Sequence, residues 1–305
     1  MLSYPMELVM NGGCCHMHKS AKYSIGVNTY GLIRRFHQDM EGTMQYLHEC
    51  GFEELELVVF PVRKQWRVPA GVATEETFPS FYRNAHENGL TIRSVHVFCT
   101  IGSLFLPTKA VVRTIRKLKK DYGVEYFVFS GMFEDRKHAE KWATYLKRIV
   151  KQTNRDGCRI IYHNHSQELE KVDVSSEAIS ALDYFFSIAG DEIGLQLDIG
   201  WAGIVSNEIA TATKYANRIQ SIHLKDFSSG TRGVYKNQNM PKEQFCAIGE
   251  GEIQTREVLS MIGMFPSFCG SIIIDQDFST SDILIDLKTG YQNVQTMLHR
   301  GGFNG

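Results

Sequence analysis

The sequence has no block of lysine or arginine: 33 basic and 34 acidic residues leave a formal charge of −1 and a pI near 6.8. An extended phosphate-binding surface normally needs a basic excess, so nucleic acid is not an expected partner. No stretch reaches about 18 uninterrupted apolar residues, which removes the expectation of a membrane span. The N-terminus has no apolar core behind its basic residues and does not resemble a secretory signal. Seven cysteines, at positions 14, 15, 50, 99, 158, 246 and 269, follow no framework spacing. Such an odd, scattered set reads as reduced thiols, and the expected location is cytoplasmic. With 43% hydrophobic residues, a chain of this length buries a large core without disulfides.

Residues 1–20 end in NGGCCHMHKS and read as an irregular extension. Cys14, Cys15, His16 and His18 are metal-binding residue types, but no second ligand pair follows to close a zinc site, so a surface extension is the stronger reading. Residues 21–305 then read as one domain, with no linker, low-complexity run or composition break. Eight runs rich in β-branched and aromatic residues predict strands: YSIGVNT (23–29), ELELVV (54–59), IRSVHVF (92–98), EYFVFS (125–130), RIIYHN (159–164), IGLQLDI (193–199), IQSIHLK (219–225) and SIIIDQ (271–276). Amphipathic stretches such as FHQDMEGTMQYLHECGF and HAEKWATYLKRIVKQTNRDG separate them. This rhythm predicts an α/β fold, a TIM (β/α)8 barrel. The doubly wound alternative favours a glycine-rich phosphate turn after the first strand, where this chain reads NTYGLI without GxGxxG.

Alternate strand residues face opposite sides. On the last strand Ile272 and Ile274 share one face, while Ile273, Asp275 and Asp277 share the other. On the seventh, Ile222 and Leu224 oppose Ser221 and His223; on the sixth, Leu195 and Leu197 oppose Gln196 and Asp198. The apolar faces suit packing against helices, which turns the polar sets inward near the C-terminal strand ends, where barrel enzymes place their chemistry. His163 shares its face with Ile161, and His96 holds a similar position on the third strand. A lone buried histidine is usually a hydrogen-bonded core residue. His96, His163, Asp198, His223 and Asp275 converging from five strands need compensation for their buried carboxylates, and a divalent cation supplies it. Two His and two Asp with room for water suit Mn²⁺, Co²⁺, Zn²⁺ or Mg²⁺, with Mn²⁺ the first choice.

The motifs YHNHSQE (162–168), LDIGWA (197–202), HLKD (223–226), AIGEGEI (247–253) and IIIDQD (272–277) occur in the order found in the xylose-isomerase-like TIM barrels. The chain resembles that superfamily of sugar phosphate isomerases and epimerases over about residues 23–300, and within it the inosose dehydratase-like branch, whose fifth strand carries a YHNHxxE-type signature. The resemblance implies four metal ligands at His163, Asp198, His223 and Asp275. Many of the epimerases have Glu at the fifth- and eighth-strand positions, acting as ligand and acid/base; here His163 and Asp275 stand there. A pair of glutamates exchanging protons across a sugar is therefore absent in its usual form, and Glu168 is the carboxylate expected to replace it as ligand or base.

The activity so implied is that of a metal-dependent sugar or cyclitol isomerase, epimerase or dehydratase. It removes a proton next to a carbonyl through a metal-stabilised enediolate, and its partner is a small sugar or cyclitol. Glu168, His163 and Lys225 are the expected catalytic groups; Lys225 has the inward parity of His223 and is read as an oxyanion partner or a rim ion pair with Asp226. His96, His165, Trp201 and Glu56 are the candidate substrate contacts. For Trp201 packing competes with a sugar-stacking role, and for Glu56 a structural salt bridge competes with a hydroxyl contact. Asp277 is expected to orient a ligand from behind. Two other classes compete: a sugar-binding or partner subunit with lost catalysis, and an endonuclease IV-like nuclease, which needs a richer His/Glu set and a basic groove. Homodimers or tetramers are implied by the resemblance alone.

Overall fold

The computed structural model describes residues 23–62, 68–101, 104–174 and 177–300. The extension at 1–20, with Cys14, Cys15, His16 and His18, lies outside them. Each of the eight β-rich runs forms a strand: β1 (Ser24–Asn28), β2 (Glu54–Phe60), β3 (Thr91–Val97), β4 (Tyr126–Ser130), β5 (Arg159–His163), β6 (Ile193–Asp198), β7 (Ile219–Leu224) and β8 (Ser271–Ile274). Consecutive strands pair in parallel, and β1 hydrogen-bonds to both β2 and β8, which closes the sheet into a (β/α)8 barrel.

The alternation of side chains makes two cores from one sheet. Leu55, Leu57, Phe127, Phe129, Leu195, Leu197, Ile222, Leu224, Ile272 and Ile274 turn outward and join the helices in a single apolar cluster. The opposite faces fill the barrel. Arg93 sits at its lower end, 3.2 Å from Glu54 and 3.3 Å from Glu125. Glu56, Ser94 and Gln196 are joined by hydrogen bonds at mid-depth. Pairing within the column offsets most of the cost of burying it, although Glu54 Oε2 is left without a partner.

The stretch expected to be one helix after β1 is two, Ile33–Gln38 and Met40–Cys50. Asp39 breaks it: its backbone is extended and its carboxylate accepts from Gly42 N–H at 2.9 Å, capping the second helix. The helix Arg136–Thr153 starts where Asp135 caps it and runs into a 3₁₀ turn, Asn154–Asp156, closed by Gly157 at φ +69°. Cys50, Cys99, Cys158, Cys246 and Cys269 are free thiols. No helix among the described residues is long and apolar enough to cross a membrane.

Candidate active site

The C-terminal strand ends converge on a cavity of about 240 Å³. Its floor and lower wall come from strand ends: Asn28, Val58, His96, Ser130, His163 and Asp275. Its upper wall is largely hydrocarbon and comes from loops, with Tyr30, Phe98, Met132, Met240, Phe245 and Phe278. Polar groups below and apolar surface above is the usual division of a small-molecule site, where few polar atoms orient and the rest exclude water.

At the floor, one donor atom each from His163, Asp198, His223 and Asp275 lies within 4.8 Å of all the others. Neighbouring side chains fix which atoms face this centre. Gln196 Nε2 donates to Glu56 at 2.6 Å, so its carbonyl oxygen is left to accept from His163 Nδ1–H at 3.1 Å. His163 Nε2 is then a lone-pair acceptor, and it faces Asp198 Oδ2 across 3.9 Å. Asp198 Oδ1 is taken by Trp201 N–H at 2.8 Å, while the buried Oδ2 has no hydrogen-bond partner. Two buried acceptors facing each other call for a cation between them. His223 Nε2 lies 2.9 Å from Glu56 and Nδ1 3.2 Å from Asp275. With Glu56 holding Nε2–H, Nδ1 is the atom that would bind a metal in place of the proton it shares with Asp275, the carboxylate–histidine arrangement that orients such ligands. The donor set of two imidazoles and two carboxylates fits a divalent cation.

The electrostatics differ among the four groups. Burial pushes Asp198 up to about 7 despite Lys225 nearby. Burial and the neighbouring His223 hold His163 well below the imidazole range, which keeps it neutral. His223 goes the other way: burial pulls it down, but Glu56 and Asp275 outweigh burial and raise it to about 10. Asp275 is held well below the carboxylate range, against burial, by Lys225 and His223. Lys225 is buried with Nζ 2.9 Å from Asp275 and 2.5 Å from Asp277. Gly200 makes its position possible, since a Cβ there would stand 2.6 Å from both Lys225 Cβ and the Lys225 carbonyl oxygen.

The profile of the family described as xylose isomerase-like TIM barrel matches residues 44–280. The chain belongs to this family. Among solved structures, a sugar phosphate isomerase/epimerase from Parabacteroides distasonis is 16% identical, with a TM-score of 0.68 over 91% of this chain and 97% of that one. A xylose isomerase-like TIM barrel protein from Mycobacterium smegmatis in complex with magnesium is 12% identical, with a TM-score of 0.67 over 93% and 99%. The protein IOLI with a bound zinc atom is 13% identical, with a TM-score of 0.62 over 91% and 98%. No curated protein sequence matches the chain.

Within this xylose isomerase-like barrel the sequence-predicted residues separate by depth. His163, Asp198, His223 and Asp275 come together. His96 and His165 line the cavity. His96 lies 3.0 Å from Ser130 Oγ, and His165 has a buried Nδ1 without a partner. Burial and the Lys225 charge lower His165 to about 3. Glu56 is fully buried one layer beneath the mouth, accepting from Asn28 Nδ2 at 2.9 Å, Ser94 Oγ at 3.1 Å and Gln196 Nε2 at 2.6 Å. It orients histidines and does not reach the cavity wall. Glu168 is likewise turned away: it accepts from Tyr162 Oη at 2.6 Å, from His165 N–H at 3.0 Å and from Met132 N–H, and burial raises it to about 7. Its carboxylate ties the loop after β5 to the loop after β4, where Met132 adopts φ +47°. Trp201 is 1% exposed and packs behind His165 and Lys225 against Phe227.

Sequence reasoning missed Asn28 and Ser130, the last residues of β1 and β4; their strand-end position was the available signal. It also missed Asn237, Met240 and Phe245, which reach the cavity from the long segment after β7 and follow no period.

Proposed function

We propose that this chain is a divalent-metal-dependent isomerase, epimerase or dehydratase of a sugar or cyclitol, acting by proton removal next to a carbonyl. The observation that carries this reading is the facing pair of buried acceptors, His163 Nε2 and Asp198 Oδ2, inside a four-residue cluster on the cavity floor. Relatives described with magnesium and with zinc support a divalent ion, and the mixed nitrogen and oxygen donors make Mn²⁺ the first choice. His163, Asp198, His223 and Asp275 would hold it, and it would supply Lewis-acid polarisation of the substrate carbonyl.

The chain's own groups do the rest. Lys225, fixed between Asp275 and Asp277, presents a preorganised positive charge for oxygen that becomes anionic. Asp277 lines the cavity with one oxygen 2.5 Å from Lys225 Nζ, which places a carboxylate within reach of bound substrate to take and return a proton. Glu168, the base expected from the motif, becomes a positioning residue, because its oxygens are engaged by Tyr162, His165 and Met132. His96, Ser130 and Asn28 are the hydroxyl-binding groups of the wall, while Phe245 and Met240 keep water from the reacting atoms.

Solvent-deuterium exchange tests the reading. Mn²⁺-loaded protein is incubated in D₂O with a panel of ketoses and inososes and followed by NMR. Exchange at a carbon next to the carbonyl, lost in His223→Ala, is expected. No exchange or turnover on any member, with metal bound stoichiometrically, would refute the proposed chemistry.

A further inference from the structure

The apolar upper wall of the cavity has a second face. A larger groove of about 690 Å³ lies on the other side, and Tyr30, Phe98, Asp277 and Phe278 line both spaces. The two spaces adjoin at this shared rim. The rim is aromatic: Tyr30 packs edge-on against Phe98 with ring centroids 6.2 Å apart, and Asn28 Oδ1 anchors its backbone N–H at 2.8 Å. Tyr30 is 44% exposed, so a large aromatic face stands open at the junction.

The two compartments differ in chemistry. The inner one holds His96, His163, His165, Lys225 and Asp275. The outer one continues as hydrocarbon from Ile33, Phe60 and Val72, and among the described residues its charged groups are Asp277, which belongs to the rim, with Arg34 and Lys242. Lys242 Nζ lies 4.8 Å from the centroid of the Phe278 ring. Hydroxyls of a sugar placed in the outer groove would lose water and gain few partners, whereas an apolar ring would gain contact area and aromatic faces. The inner space is below the roughly 300 Å³ at which pockets for larger ligands begin, so a ligand filling both compartments is a small polyol ring with an apolar appendage.

We propose that the outer groove is an aglycone subsite: the substrate is a sugar or cyclitol bearing an uncharged aryl or alkyl substituent, its polar ring inside and its apolar group against Tyr30, Phe98 and Phe278. This rests on the sugar reading of the inner cavity. It assigns Tyr30, Ile33 and Phe60 to specificity, roles that leave the metal cluster untouched.

The test is a calorimetric titration of Mn²⁺-loaded protein with paired probes: free hexoses and inositols, their phenyl glycosides or phenyl ethers, and their monophosphates. Burial of a phenyl ring in the groove is expected to make the phenyl derivative about ten- to a hundredfold tighter than its parent. Ile33→Trp, which fills the groove, and Phe60→Ala, which empties one wall, are both expected to reduce that advantage at least severalfold. Parent affinity and Mn²⁺ binding should be unchanged. Parents that bind with no phenyl advantage would overturn the subsite and leave the sugar reading intact. Monophosphates that bind tightest, with the gain lost in Arg34→Ala or Lys242→Ala, would overturn it in favour of an anion site. Failure of every probe to bind metal-loaded protein would overturn both readings.

Discussion

Glu56→Gln removes one charge from the centre of the barrel at almost constant volume, and the hydrogen-bond pattern around it leaves the glutamine no neutral arrangement. One carboxylate oxygen of Glu56 serves Asn28 Nδ2, His223 Nε2 and, at 3.4 Å, His96 Nδ1; the other serves Ser94 Oγ and Gln196 Nε2. A glutamine amide keeps only one acceptor. If its oxygen faces Gln196, its NH₂ meets His223 Nε2–H and the histidine loses its orienting partner. If its oxygen faces His223, its NH₂ meets the Gln196 NH₂. Turning Gln196 over then places a donor against His163 Nδ1, which moves the His163 proton onto Nε2, the atom that faces Asp198. Either outcome spoils a metal ligand. Loss of such an orienting partner lowers metal affinity by about 10- to 100-fold, or about 1.4–2.7 kcal/mol. Competition of Mn²⁺ against a fluorescent chelator measures it, with circular dichroism to confirm the fold and Glu54→Gln, at the far end of the barrel, as control. A folded Glu56→Gln protein that binds Mn²⁺ within twofold of wild type would refute the chain of hydrogen bonds from Glu56 through Gln196 to His163.

Three further outcomes rest on the same geometry. Glu168 is raised to about 7 by burial, so the unfolded chain loses this proton at lower pH than the folded protein does. The stability it contributes is present below about pH 4.5 and is lost as pH rises through about 7, a change of roughly 3 kcal/mol. Urea unfolding of metal-free wild type and Glu168→Gln near pH 5 and pH 8 should show the wild type declining by about that much more than the variant, in which Asp198 and Asp277 still titrate, and parallel profiles would contradict it. Gly200→Ala drives a methyl against the Lys225 backbone at 2.6 Å; it should cost about 1–3 kcal/mol in stability and reduce kcat more than KM, as read by melting and steady-state kinetics. Removing metal with a chelator should lower the melting temperature, and readdition of Mn²⁺ at about 100 times its Kd should restore about 2.7 kcal/mol; His223→Ala should show neither response.

The strands were legible because their signal is local: a period of two and β-branched composition need no knowledge of what lies across the barrel. Parity also identified which residues point inward, so His163, Asp198, His223 and Asp275 were legible as a group from strands far apart in the chain. The helix after β1 was less so, because Asp39 reads equally as a helix residue and as a cap until its own backbone conformation is seen.

Depth was the illegible coordinate. Glu56 and Val58 share the inward face of β2, yet Val58 lines the cavity and Glu56 lies a layer below it, because Glu56 is only the third residue of a seven-residue strand. Parity assigns a face, and only the register across the barrel assigns a level: Glu56 stands beside Ser94 of β3, while Val58 stands beside His96. Glu168 sits away from the cavity for a different reason. The 3₁₀ turn Gln167–Leu169 folds the chain back on β5, so a carboxylate five residues past His163 ends beside Tyr162, on the outward face. Glu56 reads by sequence as a substrate contact or a structural salt bridge and Glu168 as a ligand or base; in the structure the oxygens of both are held by protein donors. Counting donors separates these three acids: Glu56 and Glu168 have each oxygen engaged by the protein, whereas Asp198 keeps one buried oxygen with none.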